Sequence, residues 1–221
     1  MRIKSLMSVV FVAVFALVVG EAFGSVVTPF LTAGPTEEMS SHSQSITFGY
    51  GFEVWNTTTV SALGVWDADS DGFGETHDVG IFKASDQSLL GSVSFPVGTA
   101  GSYVINSYRY KDLGAAVSLS PGTLYVIAAN YNPGGDKWGN TCFADEGLPD
   151  SSIGDWDWDS SVVTPAYYKA GNTGLVFPTD NYSGHKDKSG YIVANFLVPE
   201  PATMALMALG GLGLLLKRRR R

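Results

Sequence analysis

From residue 46 to residue 198 the chain is written in short β-branched and aromatic runs, broken every ten or so residues by Gly, Pro, Asn and Asp. In ITFGYGFEVW the side chains of Ile46, Phe48, Tyr50 and Phe52 alternate with others, the period of a strand with one face on a core. The runs TTTVSALGVWD, HDVGIFKAS, SLLGSVSFPV, SYVINSYRYKDL, AAVSLSPG, TLYVIAANYN and SGYIVANFLV continue the series. Ala84–Gln87 lies between two of them as a hairpin turn. No stretch between 25 and 198 keeps a helical period for three turns. The expected fold is therefore all-β, an antiparallel sandwich of the jelly-roll or Ig-like kind, over 46–198. Residues 25–45 read as a loose leading segment, and 133–165, rich in Gly, Asp and Trp, as long loops at one end of the sandwich.

The two ends obey different rules. Residues 1–24 carry Arg2 and Lys4, then an apolar run from Leu6 to Val19, with Ala22 and Gly24 at −3 and −1 of a cut before Ser25. That is the three-part pattern of a secretory signal peptide. At the other end Ala202–Leu216 is apolar and uncharged, and Lys217–Arg221 follows at once. As a helix this run reaches about 22 Å, short of a hydrocarbon core of roughly 30 Å. Gly210, Gly211 and Gly213 and the snorkelling of Lys and Arg make it a marginal single span. The terminal charges belong on the cytoplasmic side, which leaves the bulk of the chain outside. A basic cluster directly after an apolar run is a stop-transfer signal, so nucleic acid is not the expected partner.

Val198-Pro199-Glu200-Pro201, the apolar run and the terminal Arg cluster together resemble a PEP-CTERM sorting signal over 199–221. The resemblance implies recognition by an exosortase-type membrane protease and cleavage near Pro199, Glu200 and Pro201. It also implies transient membrane insertion, then release or display at the surface of a Gram-negative-type bacterium.

Between Ser25 and Val198 lie 174 residues, enough for one domain with a real core. Seven of the 14 basic residues and only two of the 21 acids lie outside that span, so its net charge is about −12. Anionic partners are disfavoured and divalent cations are welcome. Cys142 is the only cysteine, so no internal disulfide can form, and nothing arranges a base beside it.

Within the core, Gly49–Phe52, Leu63-Gly64, Asp71-Gly72, His77–Ile81 and Leu119–Tyr125 resemble a family of secreted bacterial β-sandwiches of unknown function. The resemblance spans about residues 46–196 and implies a fold without an activity.

Three histidines, His42, His77 and His185, stand apart, with no HExxH, Gly-x-Ser-x-Gly or phosphate-loop pattern around them. His77 is expected to open a strand and hydrogen-bond a backbone carbonyl. Glu53, Glu75, Asp145 and Glu146 leave open a glycosidase-type carboxylate pair, which needs a separation that spacing does not give. Trp156 and Trp158 in DWDWD share a face when extended and, with Trp138, make a sugar-stacking platform, or else cover one end of the sandwich. Finally, Asp67, Asp69, Asp71, Phe73, Glu75 and Asp78 stand at positions 1, 3, 5, 7, 9 and 12 of a loop with Gly72 at 6, an EF-hand-like order for calcium. Strands rather than helices flank it, and an acidic hairpin loop is the alternative.

The expected function is that of an exported, non-catalytic cell-surface or extracellular-matrix module that binds polysaccharide. The alternatives are a glycan-active enzyme using loop carboxylates and a purely structural matrix component.

Overall fold

Tyr125–Tyr131, the strand β9 of the numbering used below, is buried at every position, so both of its faces must be covered. The computed structural model shows how. It describes residues 27–31, 35, 37–39, 43–54, 56–133, 135–142, 166–181 and 189–199. The signal peptide, Glu200, Pro201, the apolar tail, His42, His185, Asp145, Glu146, Trp156 and Trp158 lie outside them. Among the described residues every regular element is a strand, every strand pairing is antiparallel, and no helix is long and apolar enough to cross a membrane.

One sheet has five strands: β1 (Val27–Pro29), β14 (Ala194–Pro199), β4 (Thr58–Trp66), β8 (Tyr108–Leu119) and β7 (Tyr103–Ile105), in that spatial order. The other has six: β12 (Asp180–Asn181), β11 (Ala166–Ala170), β3 (Ile46–Phe52), β9, β5 (His77–Lys83) and β6 (Ser88–Phe95). A small sheet joins β13 (Ser189–Gly190), β10 (Trp138–Cys142) and β2 (Glu37–Met39). The chain passes from the six-stranded sheet to the five-stranded one between β3 and β4, returns between β4 and β5, and crosses again between β6 and β7 and between β8 and β9. Sheets exchanged in this way form a sandwich-like fold.

The core between the sheets is aromatic. Phe52 of β3 and Phe196 of β14 approach with ring centroids 5.1 Å apart, and Phe30 stacks on Phe196 at 4.7 Å. Val60, Leu63, Val65, Ile81, Leu119 and Ile127 fill the space around them. The opposite face of the six-stranded sheet is covered as well. Phe82, Val126 and Ala128 are buried there beneath Leu175 and Phe177. A Cβ at Gly80 would sit 2.7 Å from the Leu89 side chain and 2.8 Å from that of Leu175, so glycine lets both lie close on the strand. Asn130 fastens the cover by donating to the Gly174 carbonyl at 3.3 Å.

Several boundaries differ from the sequence expectation. The leading segment is not all loose: β1 pairs on the edge of the five-stranded sheet, and Phe30 and Leu31 are core residues. Leu31 exchanges two hydrogen bonds with the buried side chain of Asn195, at 3.0 and 2.9 Å. A three-residue strand is too short to display a period, which is why it reads as coil. YRYKDL and AAVSL form one twelve-residue strand, β8, which bulges against β4: Val60 pairs with Val117 and Ala62 with Asp112, so the extra residues lie on β8. Within the expected loop region, Trp138–Cys142 forms β10.

The β7–β8 hairpin turns on Asn106 and Ser107, both at positive φ (52° and 63°). Two such residues make the primed turn that matches strand twist, and its preferred second residue is glycine. Ser107→Gly is expected to raise stability by about 0.5 kcal/mol, since relief of left-handed strain slightly exceeds the added chain entropy. Chemical denaturation would read this as a higher midpoint at unchanged slope.

Candidate functional site

Where β5 begins, the sandwich rim brings together three side chains from two connections. His77 is the first residue of β5, while Glu75 lies in the β4–β5 connection and Asp136 in the β9–β10 connection. The His77 ring is completely buried, with Phe73 edge-on at 4.7 Å and Tyr131 at 4.5 Å. Its Nδ1 lies 2.9 Å from the Asn130 carbonyl oxygen, which only accepts, so the Nδ1 hydrogen is committed there. Its Nε2 lies 2.8 Å from Asp136 Oδ2 and 4.0 Å from Glu75 Oε1.

Both carboxylates are held by backbone. Gly74 N–H donates to Asp136 Oδ1 and Oδ2 at 2.9 and 3.0 Å, and Glu75 N–H to Oδ2 at 3.3 Å. Asn132 N–H donates to Glu75 Oε1 at 3.0 Å. Gly135 passes directly over the Glu75 carboxyl, where any Cβ would collide with it. Burial pushes the Glu75 carboxyl up from its ordinary range, against the opposing pull of Asn132 N–H and His77. Burial acts on Asp136 in the same sense, but the hydrogen bonds from His77 and Gly74 outweigh it and hold this carboxyl below the usual range. Below the cluster lies Tyr131, fully buried, its hydroxyl without a hydrogen-bond partner among the described residues. Burial first, then the neighbouring Tyr108 phenol and the carboxylates of Asp136, Glu75 and Asp67, hold that phenol well above its ordinary value.

A second polar cluster stands beside the first. Asp67 and Arg109 form a buried pair: Arg109 Nε and Nη2 both donate to Asp67 Oδ2, at 2.9 and 2.6 Å, and Nη2 also reaches the Ser70 carbonyl at 3.2 Å. The same carboxylate oxygen accepts the Gly72 N–H at 3.2 Å, and the guanidinium carbon lies 5.8 Å from the Phe73 ring centroid. Gly72, at φ +105°, makes the turn that this arrangement needs.

The residues expected to hold calcium are placed apart. Asp67 is engaged by Arg109. Asp69 is exposed, 3.6 Å from Lys137, and Asp71 is exposed. The Phe73 carbonyl accepts the Gly98 N–H at 2.7 Å, and Asp78 accepts from the Ser94 hydroxyl across the β5–β6 ladder. Only Glu75 enters a three-ligand group, and its companions are His77 and Asp136. Of the tryptophans, Trp138 stacks on Phe48 at 4.5 Å and meets Tyr191 at 5.6 Å. Pro199 is the last residue of β14. His77 opens its strand and bonds a backbone carbonyl, as its position suggests. Asp136, Arg109 and Tyr131 escape the sequence reading because nothing local marks them: Asp136 is 59 residues from the histidine it meets.

An all-β domain of antiparallel sheets is the class this architecture defines. Residues 32–193 match the model of a family described as domain of unknown function DUF4082, and the chain belongs to that family. Residues 197–221 match the PEP-CTERM protein-sorting motif. The protein is therefore exported, anchored transiently through its C-terminal region, handed to an exosortase and delivered to the surface. No curated protein matches the chain.

Proposed function

We propose that the protein is a non-catalytic surface module that an exosortase releases into, or fixes within, a polysaccharide layer outside a Gram-negative-type cell. The sorting motif carries this reading. The motif overlaps the end of β14, whose pairing with β4 runs from Ala194 to Leu197, so a cut beyond Pro199 spares the paired part of the strand. The cluster chemistry supports a non-catalytic role. A general base must reach the proton it abstracts, and His77, the histidine with carboxylate partners among the described residues, is fully buried. Trp138, a half-buried ring at the edge of an aromatic stack, gives a polysaccharide a flat apolar surface. Incubating the full chain with a panel of bacterial and plant polysaccharides tests this reading. The expected result is retention on at least one polymer, reduced by Trp138→Ala, with no release of reducing ends. Release of reducing ends would replace the module with an enzyme acting through loop carboxylates.

A further inference from the structure

We propose that Glu75, His77 and Asp136 hold a first-row divalent transition ion, of which zinc is the best fit, as a staple between the β4–β5 and β9–β10 connections. The three ligand atoms lie within 4.8 Å of one another. The separations from His77 Nε2, 2.8 Å to Asp136 and 4.0 Å to Glu75, bracket the roughly 3.3 Å between two ligands of a tetrahedral zinc. The orientation of the imidazole is that of a metal ligand: Nδ1 donates to a backbone carbonyl, which fixes the ring and turns Nε2 toward both carboxylates, where an ion would take the place of the Nε2 proton that bonds Asp136.

Two carboxylates converge on one imidazole nitrogen, an arrangement that calls for positive charge between them. A second ring proton would serve Asp136 alone and leave Glu75 4.0 Å away. A divalent ion serves all three and neutralises both carboxylates. Tyr131 packs against the imidazole with ring centroids 4.5 Å apart and helps to hold it in place. Glu75 and Asp136 keep side-chain exposures of 12% and 23%, which leaves the ion a path from solvent. A nitrogen donor selects against calcium and magnesium, which take oxygen. Of the calcium ligands expected in the Asp67–Asp78 loop the site uses only Glu75; His77 lies in that loop but outside the calcium ligand order. A cross-link of this kind suits an exported chain whose one cysteine leaves it without an internal disulfide.

The full chain, purified in mild detergent and dialysed against chelator, would be titrated with zinc alone and with calcium alone. The expected result is one equivalent of zinc by calorimetry and elemental analysis, with a melting midpoint that climbs with zinc concentration and does not respond to calcium. Asp136→Asn and Glu75→Gln, each checked for a folded circular-dichroism spectrum, should lose at least tenfold in zinc affinity. The Asp69→Ala, Asp71→Ala double variant should retain it. Wild-type protein that takes up no stoichiometric zinc would overturn the proposal, as would folded Asp136→Asn that binds zinc like wild type.

Discussion

Arg109→Ala is expected to remove about 3–5 kcal/mol of stability, because it strands the Asp67 carboxylate in the interior without its cation. Asp67 and Arg109 are both about 4% exposed, and two guanidinium nitrogens converge on a single carboxylate oxygen. The charge cannot be rescued by solvent, since the Gly72 N–H is its other donor and Phe73 lies over the guanidinium. For a domain of this size the loss corresponds to a fall in melting midpoint on the order of 10 °C. Arg109→Lys keeps the charge but offers a single nitrogen, so it should fall between wild type and Arg109→Ala. The Asp67→Leu, Arg109→Met pair should recover part of the loss, because replacing both charges leaves none unpaired. Equal midpoints for Arg109→Ala and wild type would mean that the pair is not buried in solution.

The strands that could be read from sequence were those in which one pattern persisted for seven or more residues. β3 and β5 fall where ITFGYGF and HDVGIFK place them. β9 was recognisable as strand from its β-branched and aromatic run, although the cover from Leu175 and Phe177 buries both of its faces. What was hidden depended on pairing at long range. β1 needs an Asn195 side chain 164 residues away to complete its neighbourhood. β7 and β8 separate only because Asn106 and Ser107 accept positive φ, a local choice that serine does not advertise.

The candidate site was half legible for the same reason. The acidic loop offers Asp67, Asp69, Asp71, Glu75 and Asp78 as a linear set, but folding divides them among four environments, Asp78 going to Ser94 across the β5–β6 ladder. Asp67 turns inward to a cation from β8, Asp69 and Asp71 turn to solvent, and Glu75 joins residues from across the rim. Ligand order along a loop predicts convergence only when the loop closes on itself. Here the Phe73–Gly98 bridge holds it open against a neighbouring connection. The sorting tail was legible in full, since its recognition rests on contiguous residues.

The central claim is that a β-sandwich is exported and then cut at Pro-Glu-Pro, and its expected effect is all-or-none. Pro199 and Pro201 cannot continue a helix and bias their predecessors toward extended backbone, which presents the Glu200 segment to a protease. β14 supplies the structural complement: it ends at Pro199, so nothing after the motif is needed to complete the strand paired with β4. Deleting the terminal Lys217–Arg221 cluster should therefore spare the sandwich but abolish processing, because the tail loses the charges that stop its transfer. The direct measurement is intact mass spectrometry of the protein recovered from the surface of a host that carries an exosortase. The account predicts a mass lacking residues 1–24 and everything beyond the Pro-Glu-Pro segment, and mature surface protein that still ends in Arg221 would contradict it.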